Sequence, residues 1–220
     1  MHIAIVMDGN RRYASLNKLA RITGHTQGAN NLGKIMELCP KYGVDTLTVY
    51  ALSGENLTKR SLDEVTSLLG LMTNMARHYK RKLIGQDIRV KIMGKIQSLP
   101  QELQVAVEDL VESTKGGTKL LLQICLNYGG RAEIVDAVNN AIAQGQTQIT
   151  EELITQNLYS SIEPDLIIRP GGEIRLSNFL PWQGVYSELY FTDTLWPDFG
   201  EAELEKAVNF YQARQRRFGS

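Results

Sequence analysis

Apolar runs that stop abruptly at polar or glycine-rich turns recur along the chain. Between them lie stretches whose apolar positions fall three and four residues apart. The run His2–Met7 (HIAIVM) predicts a buried strand that ends at Asp8. From Gln27 to Lys41 the apolar residues Leu32, Ile35, Met36 and Cys39 keep helical spacing, and Gly43 follows where a left-handed cap favours glycine. Thr46–Leu52 predicts a second buried strand, ending in Ser53, Gly54, Glu55 and Asn56. A long helix is predicted from Ser61 to Leu83, with Val65, Leu68, Leu69, Met72, Met75, Ala76 and Tyr79 on its apolar face. Asp87–Met93 alternates like a strand with one wet face, and Leu120–Leu126 is apolar throughout. Pro100 opens a helix between them, and Gly116 and Gly117 close it. Helices follow from Arg131 to Ala143 and from near Thr150, then short strands at Asp165–Ile168 and Glu188–Phe191. The last prediction is an exposed helix from Glu201 to Arg217. Strands alternating with helices predict an α/β fold: one domain over residues 1–220, with a largely parallel central sheet flanked by helices.

Parallel sheets bind ligands beyond the carboxyl ends of their strands. The Asp8, Ser53 and Arg169 loops are therefore expected on one rim. The first supplies Asp8, Gly9, Asn10, Arg11 and Arg12, with Arg21 and His25 on the next stretch. The third reads Arg169-Pro-Gly-Gly-Glu173-Ile-Arg175, and Ser177 follows. Taken singly, Asp-Gly-Asn is a turn and RPGGE a solvated loop. Together they offer a hard oxygen ligand and two clusters of arginine forks, with adjacent glycines whose N–H groups can turn toward an anion. That combination suits two phosphorylated substrates and a magnesium ion, which prefers one or two carboxylates plus substrate phosphates.

Charge does not add to this picture, because 24 basic residues cancel 24 acidic ones, and neither nucleic acid nor an anionic membrane is expected as a partner. Cys39 and Cys125 both sit among apolar neighbours and read as buried thiols in a reducing compartment. With no signal-like segment and no run long enough to span a bilayer, a cytoplasmic location is expected. Gly28-Ala-Asn-Asn-Leu-Gly33-Lys34 spells the start of a nucleotide-binding loop, but Ile35 follows, and the glycines fall inside a helical pattern.

Four segments carry a resemblance: MDGNRR at Met7–Arg12, LSGEN at Leu52–Asn56, NYGGR at Asn127–Arg131, and RPGGEIRLSNFLPWQ leading to ELYFTDTLWPDF. In this order and spacing they resemble the cis-prenyltransferases (the undecaprenyl diphosphate synthase-like isoprenyl transferases) over essentially the whole chain. The resemblance implies condensation of isopentenyl diphosphate with an allylic diphosphate such as farnesyl or geranyl diphosphate. It further implies a cis-polyprenyl diphosphate product, Mg2+, a homodimer and a hydrophobic product tunnel. Carried over, Asp8 is the metal-positioning acid and Glu188 a second acid at the metal. Gly9, Asn10, Arg11, Arg12, Arg21 and His25 hold the allylic diphosphate. Arg169, Arg175, Ser177 and Glu173 serve isopentenyl diphosphate, while Ser53 and Asn56 are linked to proton removal or substrate placement. The Met/Leu helix becomes a tunnel wall, with Ala51, Leu69, Met72, Met75 and Leu126 at its floor.

The chain also departs from the family's pattern. Arg11 stands where glycine is common, Tyr13 where tryptophan is common, and Leu57 where an aromatic residue is usual. The segment Leu57–Asp63 is one residue longer than in many relatives, so Lys59 or Arg60 takes the arginine position. Pro170 replaces a usual threonine and removes a backbone donor. RPGG also occurs in relatives that make irregular, lavandulyl-type products from dimethylallyl diphosphate. Those relatives tend to lose the Asn10- and Glu173-type residues that are kept here. A non-catalytic partner subunit, the other alternative, is expected to lose Asp8, Arg12 and Arg21. Membrane association is expected only through a long product, since nothing in the chain is expected to insert.

Overall fold

The ends of six strands face one way because every strand pair in the sheet is parallel. The computed structural model describes residues 1–59 and 61–214. The strands are β1 (His2–Val6), β2 (Thr46–Ser53), β3 (Ile88–Met93), β4 (Leu120–Tyr128), β5 (Leu166–Arg169) and β6 (Glu188–Phe191), in the order β3-β4-β2-β1-β5-β6. Central β1 is buried at all five positions, as an apolar run covered on both faces must be. Its period of two divides the core: Ile3 and Ile5 pack into the larger apolar cluster, while Ala4 and Val6 point into a smaller one with Phe179 and Leu180.

The helices are α1 (Asn10–Leu16), α2 (Arg21–Leu38), α3 (Gly54–Lys59), α4 (Leu62–Leu83), α5 (Gln101–Thr114), α6 (Gly130–Ala143), α7 (Glu151–Asn157) and α8 (Glu201–Gln212). α2 begins six residues earlier than the pattern predicts, which puts Arg21 and His25 on a helix. Gly24 and Gly28 weaken the helical signal there, yet tertiary packing requires them. A Cβ at Gly24 would lie 2.1 Å from the Asn10 carbonyl oxygen, and one at Gly28 would lie 2.1 Å from Asn10 Oδ1. These glycines let α1 cross α2 closely, and the decoy Gly28–Lys34 lies wholly within α2. α3 is a single short helix that the sequence reading leaves as a loop. α8 is not the exposed helix predicted, because Leu204, Ala207 and Val208 are buried against the sheet side of the core; residues 215–217 of that prediction lie outside the described residues. Pro100 caps α5 from outside its first turn, and Gly43 adopts φ 68° at the close of a 3-10 turn. Both thiols are buried and unpaired with each other, and burial pushes Cys39 up to about 12.

On the α2–α4–α5 side the core is incompletely filled. An apolar cavity of about 130 Å³ lies between these helices and the sheet, bordered by Leu68, Leu71, Met72, Met75, Ile124 and Leu126 among others. The α4 stripe thus faces this space, with Leu71 added and with Val65 and Leu69 aside from it. β2 borders the cavity through Ala51. Its register against β4 shifts between Tyr50 and Ser53, a bulge that re-aims the chain beside the rim. Ala51, at that bulge, borders both the cavity and the polar cleft outside it.

Candidate active site

β1 delivers Asp8 to the rim, and the turn after it is fixed by local bonds. The Gly9 amide donates to Asp8 Oδ1 at 2.6 Å, and Gly9 takes φ 103°, which leaves room for Leu195 packed behind it. From the other side, Trp196 holds this loop in place. Its amide donates to the Asp8 carbonyl at 2.9 Å, and its indole Nε1 donates to the Gly28 carbonyl at 2.8 Å. Asn31 fixes Trp196 and Phe199 in turn by donating to both carbonyls. The WPDF segment is therefore the buckle that joins β1, α1 and α2.

β5 brings Arg169 to the same rim with only 5% of its side chain exposed. One terminal nitrogen donates to Asp8 Oδ2 at 2.9 Å. The other donates to Ser177 Oγ at 2.8 Å and to the Arg175 carbonyl. Arg12 lies 3.6 Å from the other Asp8 oxygen. Its guanidinium passes so close to Gly171, at φ 94°, that an added Cβ would sit 2.7 Å from it. The first and third loops are thus one assembly built around the Asp8 carboxylate.

The chain from Ser177 to Leu180 holds this assembly against α6. Ser177 and Asn178 adopt φ 52° and φ 65°, left-handed conformations that cost ordinary residues roughly 1 kcal/mol each. Packing repays that strain. Phe179 and Leu180 are fully buried, Phe179 stacks on Tyr50 at 4.9 Å, and Asn178 bonds to Glu55 and to the Arg131 amide. Gln183 donates to the buried Glu133 carboxylate.

Three spaces converge here. One cleft is bordered by Asp8 to Arg12, Arg21, Glu173 and Arg175. A second is bordered by Asp8, Ser53, Asn56, Lys59, Arg169 and Ser177. The apolar cavity is the third, and Met7, Asn10 and His25 border all three. Every rim residue expected from the sequence is present in this region except Glu188. Glu188 stands at the amino end of β6, level with Leu166 and ion-paired with Arg214 at 3.0 Å, so one chain does not bring it to Asp8. The glycines also work differently from expectation. The Gly171 and Gly172 amides donate to the carbonyls of Thr194 and Thr192, so they close the loop onto the strand ends and leave anion binding to side chains. The grip expected from Arg169, Arg175 and Ser177 is divided as well. Arg175, paired with Glu173, borders the cleft of the first loop, and Arg169 and Ser177 border the second. Lys59 borders the second cleft, while Arg60 lies outside the described residues.

Glu64 was missed. It lies 3.7 Å from Arg11 and 3.4 Å from Arg21, and ties the start of α4 to the first cleft. Ser61 and Glu64 match the spacing of a capping box, which marks a helix start and hides the carboxylate's second use. Among the described residues no three His, Cys, Asp or Glu side chains form a metal cluster. Asp8, the carboxylate that borders both polar clefts, fits a magnesium-type ion whose other ligands are phosphate oxygens and water, and not an all-protein cage.

A family model described as "Putative undecaprenyl diphosphate synthase" matches residues 6–219. The chain is 48% identical over 219 residues to an isoprenyl transferase of Fusobacterium nucleatum, covering 99% of this chain and 95% of that one. It is 44% identical over 226 residues to an isoprenyl transferase of Heliobacterium mobile, covering 99% and 86%. Among solved structures it is similar to lavandulyl diphosphate synthase from Lavandula x intermedia, in complex with dimethylallyl diphosphate. That match has 35% identity and a TM-score of 0.93, over 100% of this chain and 98% of the other. A probable undecaprenyl diphosphate synthase from Campylobacter jejuni matches with 32% identity and a TM-score of 0.87, over 100% and 98%.

Proposed function

The chain belongs to the undecaprenyl diphosphate synthase family of prenyltransferases, and from that premise we propose that it condenses isopentenyl diphosphate with an allylic diphosphate to give a cis-polyprenyl diphosphate. The observation that carries this reading is the convergence of two cation-lined clefts and one apolar cavity at Met7, Asn10 and His25. A bimolecular condensation of two diphosphates with oily tails needs that layout.

In this account Arg12, Arg21 and Arg11 hold the allylic diphosphate in the first cleft, and its tail lies past His25 toward Met72 and Met75. Charge builds on the diphosphate oxygens as the allylic bond breaks, and preplaced guanidinium groups stabilise it there. Arg169 and Ser177 hold isopentenyl diphosphate; Arg175 borders the first cleft, and its assignment to isopentenyl diphosphate rests on the resemblance alone. Ser53 and Asn56 position its double bond; the Asn56 amide donates to Ser53 Oγ at 3.1 Å, which fixes both. Holding the partners side by side replaces a bimolecular encounter with a local one. Asp8 would hold Mg2+, which when bound neutralises diphosphate charge. Glu188 of the same chain has no part in this, given its place at the far end of β6.

Arg175→Ala tests the divided grip. The Michaelis constant for isopentenyl diphosphate should rise about tenfold, and that for the allylic primer less than about threefold. The reverse pattern would assign Arg175 to the allylic diphosphate beside Arg12 and Arg21.

We also propose a homodimer formed through the open edge of β6, where Val185, Tyr186 and Leu189 are 67%, 70% and 39% exposed. Sedimentation giving a monomer at assay concentrations would contradict it. The proposed location is the cytoplasm, at the membrane surface when products are long; among the described residues no helix is long and apolar enough to cross a membrane. The likeness to lavandulyl diphosphate synthase favours one second reading, irregular condensation of dimethylallyl diphosphate alone. Branched product from that substrate alone would establish it in place of the regular reaction.

A further inference from the structure

The segment Ser15–Ile22, which joins α1 to α2, is exposed at every position, although it reads SLNKLARI and carries three large apolar side chains. Leu16 is 76% exposed, Leu19 42% and Ile22 36%. Single exposed leucines are ordinary on a soluble protein. Three on one turn are not, and this turn lies within a span whose only charges are basic. From Gly9 to Met36 there is no acidic residue, while Arg11, Arg12, Lys18, Arg21 and Lys34 are basic. The whole chain is neutral, so this span holds a local excess that the net charge conceals.

The acids facing the segment come from other elements. Glu64 of α4 pairs with Arg11 and Arg21, Asp8 lies near Arg12, and Glu173 shares the first cleft. Lys18 stands at the tip of the turn, where φ is 56° and the chain reverses. Leu62, two residues before Glu64, adds another apolar side chain at 79% exposure on the α4 side. Leu19 itself borders the first cleft, so the patch forms the cleft's outer lip.

We propose that this turn is a docking surface for an anionic lipid bilayer. Leu16, Leu19 and Ile22 enter the headgroup boundary, and Lys18 at the tip of the turn meets lipid phosphates. Large apolar tips among long basic side chains are the pattern that binds such an interface, because the aliphatic stems lie along the lipid while the charges reach the headgroups. A protein partner would need no such charge bias, and a bilayer supplies both halves of the match. The reason for a membrane to lie nearby rests on the proposed function, since a polyprenyl diphosphate grown in the cavity must be handed to one. The surface itself does not rest on it. It also departs from the expectation that nothing in the chain inserts.

The test is co-sedimentation of the purified full chain, without substrate or magnesium, with vesicles of phosphatidylcholine alone or with about one third phosphatidylglycerol. Binding to the anionic vesicles, loss of that binding in high salt, and little binding to the neutral ones are expected. Leu16→Glu combined with Lys18→Asn should lower partitioning about tenfold or more. Neither residue borders a cleft, so the melting temperature and turnover of a short soluble primer should be unchanged. Equal binding by this variant, or equal binding to both vesicle types, would overturn the proposal, as would failure of the native chain to bind. Inorganic diphosphate added to fill the Asp8–Arg169 region should leave vesicle binding intact. Release by it would mean that headgroups enter the clefts, and would also overturn the turn as the docking element. A chain that binds vesicles but never turns over would overturn the prenyltransferase reading and leave this one standing.

Discussion

Asp8→Ala lowers turnover about a thousandfold or more while the protein stays folded, because the lost group acts on developing charge and hardly on packing. The Asp8 carbonyl, which accepts from Trp196, is main chain and survives the substitution. Its carboxylate is about one-third exposed, so no cavity opens in the core. What is lost is the anchor for Arg169 and Arg12 and the carboxylate, shared by both polar clefts, that would hold a magnesium ion. Arg169 keeps Ser177 and the Arg175 carbonyl as partners, so the melting temperature should fall only about 2–6 °C. Asp8→Asn separates the two functions. It can still accept a bond from Arg169, yet it supplies no negative charge, and its turnover should be nearly as low as that of the alanine variant. Turnover near the native rate in either variant would remove Asp8 from the chemistry.

Arg169→Ala should reduce kcat/KM for isopentenyl diphosphate about a hundred- to a thousandfold. Arg169 is almost completely buried and its fork is committed in three directions, to Asp8, to Ser177 and to the loop carbonyl of Arg175. A substrate phosphate would thus meet a guanidinium already fixed in place, so little ordering is needed on binding. Arg169→Lys is the sharper variant. Lysine restores the charge but not the fork, and it cannot satisfy Ser177 and Asp8 together. Its kcat/KM should stay within about tenfold of the alanine variant, not of the native chain. Recovery to native activity by lysine would mean that Arg169 contributes only a point charge.

Much of this assembly was legible in the sequence for a simple reason. A fully apolar run ends sharply, so the first polar residue beyond the apolar runs of β1 and β5 lands on the rim of a parallel sheet. Asp8 and Arg169 were placed by that rule before any resemblance was considered. Glu188 shows the rule ignored: it opens β6, so strand direction alone sets it at the other end of the sheet from Asp8. Only the resemblance drew it toward the metal. What stayed hidden was tertiary. Gly24 lies before the predicted helix and Gly28 inside it, and neither position reveals that the glycine lets Asn10 and Trp196 approach α2. Gly171 and Gly172 read as an anion loop, although their amides bond to the strand ends at Thr194 and Thr192. Leu16, Leu19 and Lys18 carry no pattern that sets them apart in the sequence, because a neutral total masks a local excess of positive charge. The apolar face of α4 was legible as a stripe. That it faces an open cavity follows from volumes that no spacing pattern encodes.

This chain alone is expected to join two diphosphates at the Asp8–Arg169 rim. The direct measurement is incorporation of radiolabelled isopentenyl diphosphate by the purified chain, with a farnesyl or geranyl diphosphate primer and magnesium, followed by mass spectrometry of the product. Magnesium-dependent extension of the primer by whole isoprene units with cis double bonds is the expected result. No incorporation by the folded, purified chain, with or without magnesium, would contradict it.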